Sequence, residues 1–96
     1  MRKLSGHVYF ALAVGTGLVK VGWSTDVASR LRAVASELPH KVALLAITPS
    51  DDCQKLCTEI RERLASNEKI NGWFWLTEEV EKVVVDASRI DGVQFG

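Results

Sequence analysis

Ninety-six residues, 47% hydrophobic and 25% charged with two prolines, describe one globular domain around one core and exclude a disordered or low-complexity chain. Twelve basic side chains cancel twelve acidic ones, which argues against an indiscriminate nucleic-acid binder whose affinity rests on excess Lys and Arg. The longest apolar run, residues 42–47, is too short to span a membrane, and residues 1–6 lack a signal-peptide core, so a cytoplasmic location without membrane contact is expected.

In residues 7–14 the large apolar side chains Val8, Phe10, Leu12 and Val14 alternate with His7, Tyr9, Ala11 and Ala13, the period of a strand. Residues 18–23 place Val19, Val21 and Trp23 on one face and Leu18, Lys20 and Gly22 on the other, and the two runs read as a hairpin. Antiparallel partners share a face. Matching the apolar sides therefore pairs even positions of the first strand with odd positions of the second, and requires an even loop such as the two residues Thr16-Gly17. Tyr9 and Lys20 then share the opposite, more polar face.

Thr25 and Asp26 supply N-cap chemistry for a helix in which Val27, Leu31, Val34 and Leu38 recur, with Pro39 at its end. Helical spacing puts Arg30 at the border of that stripe and Arg32 on the solvent side. Residues 41–48 are nearly continuously apolar, as in a strand covered on both faces. Residues 49–52 open a second helix with the stripe Cys53, Leu56, Cys57, Ile60 and Leu64. Its two cysteines, four apart, project together as reduced core thiols. The aromatic run Trp73-Phe74-Trp75 precedes a third helix that starts at Thr77 and carries Val80, Val83, Val84 and Ala87. Residues 92–96 read as a short strand or a frayed end. The order hairpin, helix, strand, helix, helix predicts a single α+β domain over residues 1–96, a small three-stranded antiparallel sheet flanked by helices.

Charge is unevenly spread. Residues 1–50 hold six basic and two acidic side chains, a net of +4, and residues 51–96 hold six against ten, a net of −4. A basic half suits phosphates, and a salt-bridged surface between the halves explains the same count.

Gly6-His7-Val8-Tyr9, then Lys20-Val21-Gly22, Ser24-Thr25 and, eight residues after Gly22, Arg30-Leu31 resemble the opening motifs of the GIY-YIG nuclease superfamily. The resemblance is strongest to its phage-encoded and meiotically up-regulated-gene branch, in which lysine stands in the place of the second motif's tyrosine. It runs over residues 6–77 and ends at Trp73-Phe74, similar to the branch's terminal Gly-Glu-Trp-Phe. It implies an endonuclease in which a divalent ion, Mg²⁺ or Mn²⁺, held by a helix glutamate organises a DNA phosphodiester. Tyr9 is then the assisting base, with Lys20 beside it, and Arg30 the phosphate ligand. A free phenol titrates near about 10, so Tyr9 can act as a base only beside a metal or a cation such as Lys20. The planar fork of Arg30 matches phosphate oxygens. Gly22 admits a close approach of backbone or substrate. Ser24, Arg32 and Arg61 are further candidate binding residues, and Trp75 is a candidate base-stacking ring.

The branch carries Glu-x-x-Leu-His on its second helix. Aligning Ile60 with that leucine puts Cys57 at the glutamate and Arg61 at the histidine, and Gly72 falls at the glutamate before Trp-Phe. Hard cations prefer oxygen to sulfur; of the nearby carboxylates, Glu59 lies about 100° from the stripe centre and Glu62 further round, and a carboxylate such as Glu59 is the candidate metal ligand. Three functions are expected in turn: a metal-dependent endonuclease, a degenerate module that binds nucleic acid without cleavage, and a phage-type accessory protein that engages a protein partner or forms a homodimer.

Overall fold

The alternation in the first 24 residues closes an antiparallel hairpin, β1 (Gly6–Ala13) with β2 (Leu18–Ser24), in the computed structural model, which describes residues 4–87. Phe10 lies opposite Val21 and Leu12 opposite Val19, so even positions meet odd ones. The connecting loop has the expected parity but spans residues 14–17, because Ala13 pairs with Leu18. The cause is steric. A two-residue turn of either primed type needs positive φ at its first residue, which β-branched Thr16 resists. The longer loop puts positive φ on Gly15 and Gly17 instead, at 87° and 72°.

Each face of the hairpin has its own core. Val8, Phe10, Val19 and Val21 pack with Cys53, Cys57 and Leu64 of the α2 region and with Val80, Val83 and Val84 of α3 (Glu78–Ala87). On the other face Tyr9, Ala11 and Leu44 form a smaller cluster under α1 (Val27–Glu37), joined by Val27 and Leu31. The helix starts follow their caps: the Asp26 carboxylate accepts the Ser29 N–H at 3.1 Å, and Asp52 does the same for Lys55 at 3.3 Å at the head of α2 (Cys53–Arg63). Cys53 and Cys57 are buried free thiols, as their spacing implies.

β3 (Val42–Ser50) pairs antiparallel with β1 along its outer side. The register slips between Phe10 and Ala11, where β3 carries one extra residue, Leu45. At this bulge Leu45 and Ala46 both pack on the larger core, while Leu44 and Ile47 pack on the smaller one. The unbroken apolar run of β3 is thus a strand with two covered faces and a phase break.

The sheet has five strands where three were expected. β4 (Glu68–Ile70) and β5 (Trp73–Trp75) add to the free side of β2, giving the order β3-β1-β2-β5-β4. Three residues are too few to display a period. Only Phe74, wholly buried in the larger core, betrays the strand. β5 pairs with β2 along residues 18–20, and the Gly72 carbonyl accepts the Val21 N–H at 2.9 Å, so the ladder on that side ends at Val21. No helix among the described residues is long and apolar enough to cross a membrane. The expectation for residues 92–96 lies outside the described residues.

Candidate functional site

The polar face of the hairpin carries Tyr9 directly opposite Gly22. The phenol runs across β2 over the glycine: a Cβ at position 22 would overlap Tyr9 Cζ and Oη and come within 2.8 Å of Cε2. What approaches Gly22 closely is thus the Tyr9 ring. Tyr9 is 1% exposed. Burial pushes its pKa above the ordinary phenol value, outweighing the downward pull of Arg30 and Arg61. At neutral pH the group is a phenol that can donate a hydrogen bond.

Lys20 shares that face. Its Nζ donates to the Asn71 carbonyl at 3.2 Å and lies 5.7 Å from the centroid of the Trp73 ring. Burial, then the positive charges of Arg61 and Arg30, lower its pKa, with Cys57 and Glu37 opposing.

Arg61 arrives from the other side of the sheet. α2 packs on the larger core, but at Val21, where the ladder between β2 and β5 ends, the Arg61 side chain reaches β2. There its Nε and Nη2 both donate to the Val21 carbonyl, at 2.9 and 2.6 Å. Cys57, one turn earlier, directs its Sγ to the same oxygen at 3.9 Å. Burial raises the Cys57 pKa despite nearby Arg61 and Lys20, so it is held as a thiol. Gly72, at φ 80°, leaves the room: a Cβ there would lie 2.6 Å from Arg61 Nη2 and 3.2 Å from Lys20 Nζ.

These side chains converge on a pocket of about 190 Å³ lined by Tyr9, Lys20, Gly22, Trp23, Arg30 and Arg61, with Ala33, Val34 and Glu37 of α1. Three cations thus face one rim carboxylate. The fold brings together the candidates Tyr9, Lys20, Gly22, Arg30 and Arg61. The others lie apart. Ser24 sits in an adjoining depression with Trp23 and Arg30, where its Oγ accepts the Asp26 N–H at 2.9 Å. Arg32 lines a hollow between α1 and β3 with Leu31, Val42 and Leu44. Glu59 borders a different depression with Asp52, Lys55 and Leu56. Trp75 is 44% exposed, with Lys69 Nζ 5.0 Å from its ring centroid. Glu37 was missed by sequence reasoning, although it falls seven residues after Arg30, two turns along the same helix face.

The divalent ion implied by the GIY-YIG resemblance meets an unsuitable donor set. Among the described residues no three His, Cys, Asp or Glu side chains come together. Hard cations want several oxygen ligands. The pocket offers one exposed carboxylate beside three positive charges, and the aligned glutamate position holds a buried, protonated thiol. The residues present do not fit Mg²⁺ or Mn²⁺.

No curated protein and no solved structure matches the chain. A family model described as the T5orf172 domain matches residues 6–89. That span runs past residue 77 to take in α3 as well as the sheet, α1, α2 and the whole pocket, and the chain belongs to the T5orf172 domain family.

Proposed function

We propose that this domain is a phage-type, GIY-YIG-like module that holds a DNA phosphodiester in the Tyr9 pocket without the help of a divalent ion. The observation that carries the reading is the convergence of Lys20, Arg30 and Arg61 on one cavity. Arg30 is exposed and lines the cavity, and its planar fork suits a phosphate. Arg61 is pinned on the Val21 carbonyl by two N–H groups and keeps the rest of its fork for an anion. Lys20 adds a point charge. Tyr9, as a neutral phenol, donates to a phosphate oxygen.

A metal-dependent endonuclease is the second reading, favoured by the meeting of Tyr9 and Arg30 in one pocket. It requires a base with a pKa near the working pH and a metal carboxylate, and the raised Tyr9 pKa and the thiol at Cys57 weigh against both. Plasmid nicking in Mg²⁺, Mn²⁺ or EDTA, run beside anisotropy measurements of DNA binding, separates the two. The binding reading expects intact plasmid and salt-sensitive, EDTA-insensitive binding that Arg30→Ala weakens. Metal-dependent nicking lost in Tyr9→Phe would replace it with the nuclease. Absence of binding at low salt would leave a protein partner or a homodimer as the function.

A further inference from the structure

The polar face continues beyond the pocket. Within β5, Phe74 turns into the larger core, so Trp73 and Trp75 project to the opposite side. Trp73 pairs with Lys20 and Trp75 with Leu18, which puts both indoles on the face that carries Tyr9. They stand roughly 7 Å apart along the strand, the spacing of alternate residues. β5 packs chiefly on its sheet neighbours β2 and β4; Trp75 is 44% exposed, and Trp73, opposite Ile70, is half-buried.

One exposed aromatic ring needs no explanation in a small domain. Two rings on one face, each with an ammonium near its ring, at 5.7 Å for Lys20 on Trp73 and 5.0 Å for Lys69 on Trp75, make a repeated unit of ring and cation. Lys20 belongs to the row and to the pocket alike. The row is therefore continuous with the site proposed for phosphate.

We infer that Trp73 and Trp75 form a stacking platform for successive bases of an unpaired DNA strand whose backbone phosphates engage Lys69, Lys20 and the Tyr9 pocket. The inference rests on the phosphodiester reading given above. Ring faces and cations alternate on the protein as bases and phosphates alternate on a single strand, so the charges complement each other along the row. A duplex cannot use the platform, because its bases already stack on one another and reach a side chain only when flipped out. Both sources of affinity are then distinct: cations read any phosphate backbone, whereas the indoles read strandedness.

The test is fluorescence anisotropy at low salt with three probes: a short labelled oligodeoxynucleotide, the same sequence as a duplex, and an abasic strand of equal length. Wild type is expected to bind the single strand most tightly. Trp75→Leu, an exposed position where folding is not at stake, is expected to lower single-strand affinity about tenfold, the scale of one lost base stack, and to leave duplex and abasic binding unchanged. Arg30→Ala is expected to weaken all three probes. Equal affinity for all three with no effect of Trp75→Leu overturns the platform and leaves the pocket standing. Binding of no probe, or binding indifferent to Arg30→Ala, overturns the pocket and the platform with it. A dimer at assay concentrations that Trp75→Leu disperses makes a second copy the occupant of this face and also overturns the platform.

Discussion

Tyr9 and Gly22 face each other across the hairpin, and the phenol fills the volume that any side chain at position 22 would need. Lying flat across β2 in this way, the ring carries its hydroxyl to the pocket that Lys20, Arg30 and Arg61 line.

Gly22→Ala is expected to cost about 1–3 kcal/mol, the usual penalty of overpacking, and to lower the melting temperature by several degrees. Tyr9→Phe does not relieve the clash, because Cζ and Cε2 are among the atoms met. Tyr9→Ala does. A double-mutant cycle by thermal denaturation checks the coupling, and additivity of Gly22→Ala with Tyr9→Ala would refute the packing relationship.

Tyr9 is the single tyrosine in the chain, so the phenolate absorbance reports this group alone. Its midpoint is expected above the ordinary value, and higher again in Arg30→Ala, because Arg30 pulls it down. The linkage has a definite sign. A phenol whose pKa is higher folded than unfolded leaves stability intact below about pH 10 and removes it as the pH rises through the folded value. The depressed Lys20 pKa acts in the opposite sense. Denaturant melts between neutral and strongly alkaline pH should therefore show Tyr9→Phe keeping more of its neutral-pH stability than wild type.

Arg30 and Arg61 should separate cleanly. Arg61 gives the Val21 carbonyl two N–H donors where the ladder on β2 ends, and Arg61→Ala is expected to destabilise the fold by about 1–3 kcal/mol by leaving that oxygen only the weak, long contact with the Cys57 thiol. Arg30 is exposed. Arg30→Ala should leave urea unfolding within about 0.5 kcal/mol of wild type while reducing the slope of log affinity against log salt by about 1, as expected for one lost phosphate contact.

Divalent ions should be without effect on the fold. A ligand that binds only the native state raises the melting temperature by mass action, and the pocket's donor set gives Mg²⁺ nothing to hold. Scanning calorimetry in EDTA and in excess Mg²⁺ is expected to give superimposable transitions. A Mg²⁺-dependent rise would reveal an ion site.

The parts of this fold that repeat were readable in the chain. Period-2 alternation fixed the parity of the hairpin and put Tyr9 and Lys20 on one face. Period-3.6 stripes and the caps Asp26 and Asp52 gave the helices. What was hidden depends on contacts between distant segments. β4 and β5 are too short to carry a pattern, and their presence decides where the ladder on β2 ends. The end of that ladder lets Arg61 reach Val21: alignment with the branch's histidine marked Arg61 as a binding candidate, but its hold on the Val21 carbonyl depends on the short strands. Glu59 illustrates the converse: its angular offset from the α2 stripe already pointed away, and it borders another depression.

The phase break in β3 has a consequence for how the chain tolerates insertions and deletions. Residues on either side of Leu45 obey alternation separately, as if the strand were written in two reading frames joined at one position. Removing Leu45 or Ala46 would merge the frames into one regular ladder and keep every other side chain on its own side of the sheet. A deletion elsewhere in the strand would turn the residues between it and the bulge from one core toward the other. Length variation within this strand should therefore concentrate at these two positions.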